Sequence, residues 1–332
     1  MQNKTSTRRP WITGALAACL GLMGLAGQTW AQSNYPNKPI RMVVPFAPGG
    51  VTDTSGRLIA EQLSKRLGQQ VIVDNKPGAS GNIGTQMVVS AEPDGYTLVL
   101  GFDGTMVINP HVFAKMPFDT VRDLAPVGKI GDAVLILVSN PSVPAKTLRE
   151  VLDLSKKQSG GLSYGTSGTG GTPHIAGELL KIRTGANLVH VPYKGGGQAL
   201  IDVIGGNIPL VYTAIAGAVQ HVKSGKIHPV AVSSLQRSRA LPDVPTFIEA
   251  GLSDFDVSSW VGIMAPAKTP RAIIERLNTE LNAVLADPDV RERLNQLGIA
   301  ATPGSAEKFG DEIRRDLARY GPVVKAAGIK AE

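Results

Sequence analysis

From residue 40 to residue 232 the chain alternates short β-branched runs with segments of helical period, and that order leaves few folds open. Ile40-Arg41-Met42-Val43-Val44 predicts a strand. Residues 54–67 predict a helix with Leu58, Ile59, Leu63 and Leu67 on one face, ended by Gly68. Val71-Ile72-Val73 predicts a second strand, residues 81–90 a second helix, and Thr97-Leu98-Val99-Leu100 a third strand. Parallel strands need crossover helices on the sheet faces, so a βαβαβ order implies a parallel, doubly wound sheet. A weaker region, 109–123, leads to a strand at 133–138, and the pattern restarts. Helices at 148–157, 172–183, 198–204 and 218–223 alternate with strands at 162–164, 188–191, 210–212 and 230–232. An extended segment at 256–263 and helices at 271–285, 290–297 and 306–320 complete the chain. The second α/β unit therefore reads as inserted into the first, with residues 32–133 and 258–332 forming one domain and 134–257 the other. Two crossings, near Val134 and Ser259, make a hinge, and hinge closure places a ligand at the interface.

The N-terminus reads as an export signal. Lys4, Arg8 and Arg9 precede an apolar stretch over 12–27, and Thr29 and Ala31 sit where a signal peptidase needs small residues, so residues 1–31 are expected to be removed on the way to the periplasm. The run 11–31 is just long enough to span a bilayer, which makes an uncleaved anchor the alternative. Thr7-Arg8-Arg9-Pro10-Trp11-Ile12 loosely resembles a twin-arginine signal and Leu16-Ala17-Ala18-Cys19 a lipoprotein box, but the apolar run continues past Cys19 where a lipobox would end it. Cleavage leaves 31 of the 34 basic residues against 27 acidic ones, a net charge of +4. Without basic clustering or interleaved aromatics this excludes a nucleic-acid partner. The single cysteine, Cys19, leaves with the signal, and the five histidines are scattered. No metal site, cofactor or catalytic acid–base pair is expected, and the chain is read as a non-enzyme.

Two glycine-rich strand-to-helix loops stand out, Pro45-Phe46-Ala47-Pro48-Gly49-Gly50-Val51-Thr52-Asp53 and Tyr164-Gly165-Thr166-Ser167-Gly168-Thr169-Gly170-Gly171-Thr172-Pro173-His174. Such loops expose backbone N–H groups at the positive end of a helix dipole, which suits an anion. In the first, Thr52, Asp53 or Thr54 caps the helix; a carboxylate facing an anionic ligand would repel it, so Asp53 is read as a cap or loop support. The second loop lacks the spacing of a nucleophile elbow, a dinucleotide fingerprint or a P-loop, which leaves hydroxyls and N–H groups suited to a carboxylate. His174 lies in the first helical turn, where a neutral packing or capping role competes with ligand contact. Two further junctions, Val191-Pro192-Tyr193-Lys194-Gly195-Gly196-Gly197-Gln198 and Tyr212-Thr213-Ala214-Ile215-Ala216-Gly217, should open on the same cleft edge. Lys194 there is either a countercharge for a second ligand carboxylate or an exposed loop lysine; Phe46, Phe102 and Tyr212 are either pocket walls or core.

Taken together, Tyr35-Pro36-Asn37-Lys38-Pro39-Ile40, the first glycine-rich loop, Val73-Asp74-Asn75-Lys76-Pro77-Gly78-Ala79 and Pro93-Asp94-Gly95-Tyr96-Thr97 resemble the Bug-type substrate-binding proteins of tripartite tricarboxylate transporters. Tyr164-Gly165-Thr166, Val191-Pro192-Tyr193-Lys194-Gly195, Pro242-Asp243-Val244-Pro245-Thr246 and Ala265-Pro266-Ala267-Lys268-Thr269-Pro270 continue the resemblance over nearly the whole mature chain. It implies a two-domain, type II-like periplasmic-binding-protein fold: two doubly wound α/β domains joined by a two-strand hinge. It also implies a receptor that holds a di-, tri- or aromatic carboxylate and delivers it to a permease of one large and one small membrane subunit. The ligand-facing positions it implies are Phe46, Gly49, Gly50, Thr52 and Asp53, with Thr166, Gly168, Thr169, Gly170 and His174 opposite. Tyr212-Thr213-Ala214 departs from the Phe-Asp of many relatives, so the distal pocket loses a carboxylate and gains room. Two alternatives are a receptor presenting its ligand to a membrane kinase and an exported hydrolase using Ser167 and His174; the loop spacing sets no base against a nucleophile for the latter.

Overall fold

β1 (Ile40–Val44), β2 (Val71–Asn75) and β3 (Thr97–Phe102) form where the β-branched runs predict them, connected by α1 (Val51–Leu67) and α2 (Asn82–Val89). The computed structural model describes residue 2 and residues 35–330, apart from 47, 49, 50, 194, 195, 254, 256 and 258. The export signal expected over 1–31 lies, but for residue 2, outside them. β4 (Leu124–Ala133) ends the first run of strands, and β5 (Leu135–Ser139) follows after one residue. β6 (Leu162–Thr166), β7 (Leu188–Pro192), β8 (Leu210–Ala214) and β9 (His228–Val232) then alternate with α3 (Leu148–Lys157), α4 (Thr172–Thr184), α5 (Gly196–Ile204) and α6 (Ile215–Lys223). β10 (Ser259–Pro266), α7 (Arg271–Ala286), α8 (Pro288–Gln296), β11 (Ile299–Ala301) and α9 (Ala306–Ala327) complete the order. Local chemistry sets several boundaries: Thr147 and Glu150 form a reciprocal capping box on α3, and Asp287 accepts from two N–H groups at the start of α8.

The strands form two sheets, β11-β4-β10-β3-β1-β2 and β7-β6-β8-β5-β9. Setting β11 aside, the two have the same plan: three parallel strands in the order second-first-third, then an antiparallel strand, then a fourth. The expectation of a parallel sheet is corrected here. β5 enters its sheet from the first lobe and β10 enters its sheet from the second. A strand arriving from the other lobe must run against neighbours whose carboxyl ends point toward that lobe, and β5 and β10 do.

Each sheet is covered on both faces. In the first lobe Ile40, Met42, Leu58, Ile59, Leu63, Leu277 and Leu281 pack on one side. Val43, Val99, Val107, Trp260, Phe309 and Ile313 pack on the other. Ile175 of α4, from the second lobe, joins this latter cluster, so the lobes share apolar contact at their junction. The second lobe builds its two faces on Leu137, Tyr164, Tyr212, Phe247 and Phe255, and on Ile136, Leu200, Val211 and Ile215.

Candidate functional site

The two glycine-rich loops leave the carboxyl ends of β1 and β6, as parallel topology requires, and a chain of contacts joins them across the lobe junction. The Phe46 ring meets the Phe102 ring edge-on at 5.6 Å. The next residue, Asp103, accepts a 2.7 Å hydrogen bond from the hydroxyl of Thr172, where α4 begins directly after the second loop. Gly170 packs close enough to Val112 of the first lobe that an added Cβ would lie 3.3 Å from it, and its φ of +79° is one that glycine adopts without strain.

In the first loop, Asp53 is 4% exposed and tied inward. Asn75 Nδ2 donates to Asp53 Oδ1 at 2.8 Å and to the Phe46 carbonyl at 3.0 Å, and Arg57 pairs with Asp53 at 3.0 Å while donating to Asn75 Oδ1 at 2.8 Å. Asp53 thus fastens the loop to α1 and β2. Thr52 is partly exposed in the first turn of α1. Gly49 and Gly50 lie outside the described residues, as does Lys194. A neighbouring turn carries strain: Ala79 and Ser80 have φ of 46° and 52°, and Thr105 and Asn109 side chains hold it by donating to the Ser80 carbonyl at 2.8 and 3.1 Å.

The second loop is organised by two histidines. His174 Nδ1 accepts from the Gly170 N–H at 3.1 Å, so its proton sits on Nε2, 3.8 Å from Glu178. His190 Nε2 lies 2.7 Å from the Thr166 hydroxyl, which also donates to the Gly168 carbonyl and accepts from the Gly168 N–H. The two imidazoles stack at 3.6 Å. Burial lowers His174 to about 4; burial and then the His174 neighbour lower His190 to about 3, so both are neutral. Glu178 compensates beneath them, accepting from Tyr164 at 2.9 Å and pairing with Lys181 at 2.8 Å.

The structure therefore brings Phe46, Thr52, Asp53, Thr166, Gly168, Thr169, Gly170 and His174 to the two facing loops, and commits several of them internally. Thr166, Gly168, Gly170 and His174 hydrogen-bond one another's neighbourhood. Ser167 and Thr169 are exposed, and the N–H groups of Thr169 and Gly171 have no hydrogen-bond partner among the described residues. The Tyr212 ring is fully buried in the second-lobe core, stacked on Phe247 at 5.8 Å. Arg57, Asp103, Glu178 and His190 support the site without a sequence motif to mark them, whereas Asn75 lies in the motif Val73–Ala79. Among the described residues no cluster of His, Cys, Asp or Glu could hold a metal ion, and no helix is long and apolar enough to cross a membrane.

Two α/β lobes of one plan, joined by crossing strands and offering a strand-to-helix loop each at the junction, define a solute-binding protein of the periplasmic type. The chain belongs to the tripartite tricarboxylate transporter receptor family: a family model described as "Tripartite tricarboxylate transporter family receptor" matches residues 56–329. Protein BugT of Bordetella pertussis is 34% identical over 323 residues, covering 95% of this chain and 98% of that one. The structure described as R. palustris Rpa4515 with adipate is 33% identical, with a TM-score of 0.82 over 89% of this chain and 99% of that one. MatC (Rpa3494) from Rhodopseudomonas palustris with bound malate is 31% identical, with a TM-score of 0.78 over 87% of this chain and 100% of that one.

Proposed function

We propose that this chain is a periplasmic receptor, not an enzyme, which closes on a small dicarboxylate between loops 45–53 and 167–174 and delivers it to the large and small membrane subunits of a tripartite tricarboxylate transporter. The observation that carries the proposal is the pair of loops at the lobe junction, with the unpartnered N–H groups of Thr169 and Gly171 and the exposed hydroxyls of Ser167 and Thr169 on one side. Charge-assisted hydrogen bonds contribute about 1.5–3 kcal/mol each, so roughly four give about 8 kcal/mol after losses, a micromolar site. Adipate and malate in two related structures agree with a ligand of two carboxylates. Location in the periplasm follows from the family together with the export signal expected over residues 1–31.

A thermal-shift panel of adipate, malate, succinate, citrate and aromatic acids tests this on the mature protein. A ligand at about a thousand times its dissociation constant stabilises the fold by about 4 kcal/mol. A selective dicarboxylate hit that weakens in Thr169→Val supports the proposal; folded protein that responds to none of the acids refutes it.

A further inference from the structure

Asp103 occupies the place where the two lobes and the hinge meet. It follows β3 directly, its side chain is fully buried, and the π-helical turn Gly104–Ile108 continues from it. Its carboxylate accepts on both oxygens: Oδ2 from the hydroxyl of Thr172, the first residue of α4, and Oδ1 from the hydroxyl of Ser259, the first residue of the crossing strand β10. The Gly104 N–H donates as well. A buried carboxylate is costly unless such donors compensate. One of these donors, Thr172, begins α4 of the second lobe, so its hydrogen bond to Asp103 joins the two lobes.

Resting on the dicarboxylate proposal above, we propose that Asp103 is a positioning residue for ligand binding: its carboxyl group engages the start of α4 when the lobes close, is parted from Thr172 and hydrated when they open, and so sets loop 167–171 against the first lobe. It does not touch the ligand, being fully enclosed.

This latch takes up a proton when it closes. Burial pushes Asp103 from 3.8 up to about 7, against the lowering effect of the Ser259, Thr172 and Gly104 hydrogen bonds and with a small further push from Asp316. The closed form therefore binds the Asp103 proton more tightly than a water-exposed form does. Closure is favoured by acid, and that gain is lost as pH rises through about 7. Two further titratable groups face the junction from other elements, and both are present unchanged in the comparison that follows. On α4 it is His174, held neutral down to about 4. On α9 it is Asp316, raised by burial, bonded to Trp260 Nε1 at 3.0 Å and attended by Arg315, Arg319 and Glu312. β3, β10 and the turn Gly104–Ile108 carry no titratable side chain.

The test compares the wild-type protein with Asp103→Asn, an isostere that is neutral at every pH and keeps the volume, using adipate as probe. Where closure limits affinity, the wild-type dissociation constant is expected to fall about tenfold between pH 8 and pH 6, a range in which a dicarboxylate stays ionised, while Asp103→Asn shows a flat profile. Equal profiles in the two proteins overturn the proposal. Small-angle scattering of the unliganded proteins reads the latch without any ligand. The wild type is expected to be more compact at pH 6 than at pH 8 and Asp103→Asn indifferent; identical pH responses in both refute the latch even if no dicarboxylate binds. A purely structural role would lower the melting temperature and leave both pH profiles parallel.

Discussion

Gly84→Ala sets two physical effects of opposite sign against each other. Gly84 lies in the first turn of α2, where alanine is favoured over glycine by up to about 1 kcal/mol on propensity alone. An added Cβ, however, would lie 2.6 Å from the Lys76 carbonyl oxygen and 2.9 Å from Pro45 Cα, both main-chain atoms that cannot swing away. Overpacking against rigid neighbours costs about 1–3 kcal/mol, so the clash wins and the variant is expected to lose about 1–2 kcal/mol. At about 2–4 °C per kcal/mol, melting should fall by about 2–8 °C. Relief of the clash pushes α2 away from Pro45, which begins the first loop, so dicarboxylate affinity should fall as well. Gly197 is the internal control: it lies in the first turn of α5, nothing comes within 4 Å of its added Cβ, and Gly197→Ala should be neutral or stabilising by up to about 1 kcal/mol. Differential scanning calorimetry of the two variants decides the matter. A Gly84→Ala protein as stable as Gly197→Ala would show that α2 does not press on the first loop as described.

Tyr164→Phe removes a 2.9 Å hydrogen bond to a buried Glu178 carboxylate, and denaturant unfolding should show a loss of about 1.5 kcal/mol with the second loop loosened. Arg57→Met leaves Asp53 with its Asn75 contact but cuts the tie to Arg57, so calorimetric titration should show weaker ligand binding with less than about 1 kcal/mol lost in stability. The neutral His174 and His190 pair gains protons on unfolding, since its folded values of about 4 and about 3 lie below the ordinary 6.5. Their contribution is complete above the ordinary histidine value and is lost as pH falls through the folded ones, at up to about 1.4 kcal/mol per pH unit for each proton. Asp103 contributes with the opposite sign over 3.8 to about 7, so Asp103→Asn should steepen the acid loss of stability below neutrality.

The alternation of β-branched and amphipathic segments located most elements to within a few residues, because burial on one or both faces imposes that pattern. β4 escaped: Leu124-Ala125-Pro126-Val127-Gly128-Lys129-Ile130-Gly131-Asp132-Ala133 carries a proline and two glycines, and its pairing with β10 contains two register shifts. Those glycines serve tertiary packing, giving room to Leu281 and to β11, which no local pattern encodes. β11 itself has three residues, too few for a period. α9 runs through Pro322 to Ala327, beyond the point where a proline suggests a stop, with Tyr320, Val324 and Ile329 anchored in the first-lobe core. The glycine-rich loops were legible because a strand end, a glycine run and a helix start lie together in sequence. The groups that brace them were not. His190 meets His174 from another strand, and Asp103 followed by glycine reads as an ordinary turn until the fold sets it against Thr172 and Ser259.

Isothermal titration of the mature protein with adipate and malate, alongside Gly170→Val, tests the central claim most directly. The added side chain meets both the left-handed backbone at Gly170 and Val112 of the opposite lobe, so it disturbs the second loop where the lobes join. One-to-one binding at micromolar affinity or tighter, lost in Gly170→Val while the variant stays folded, is the predicted result. Unchanged affinity in that variant would contradict a site built between the two loops.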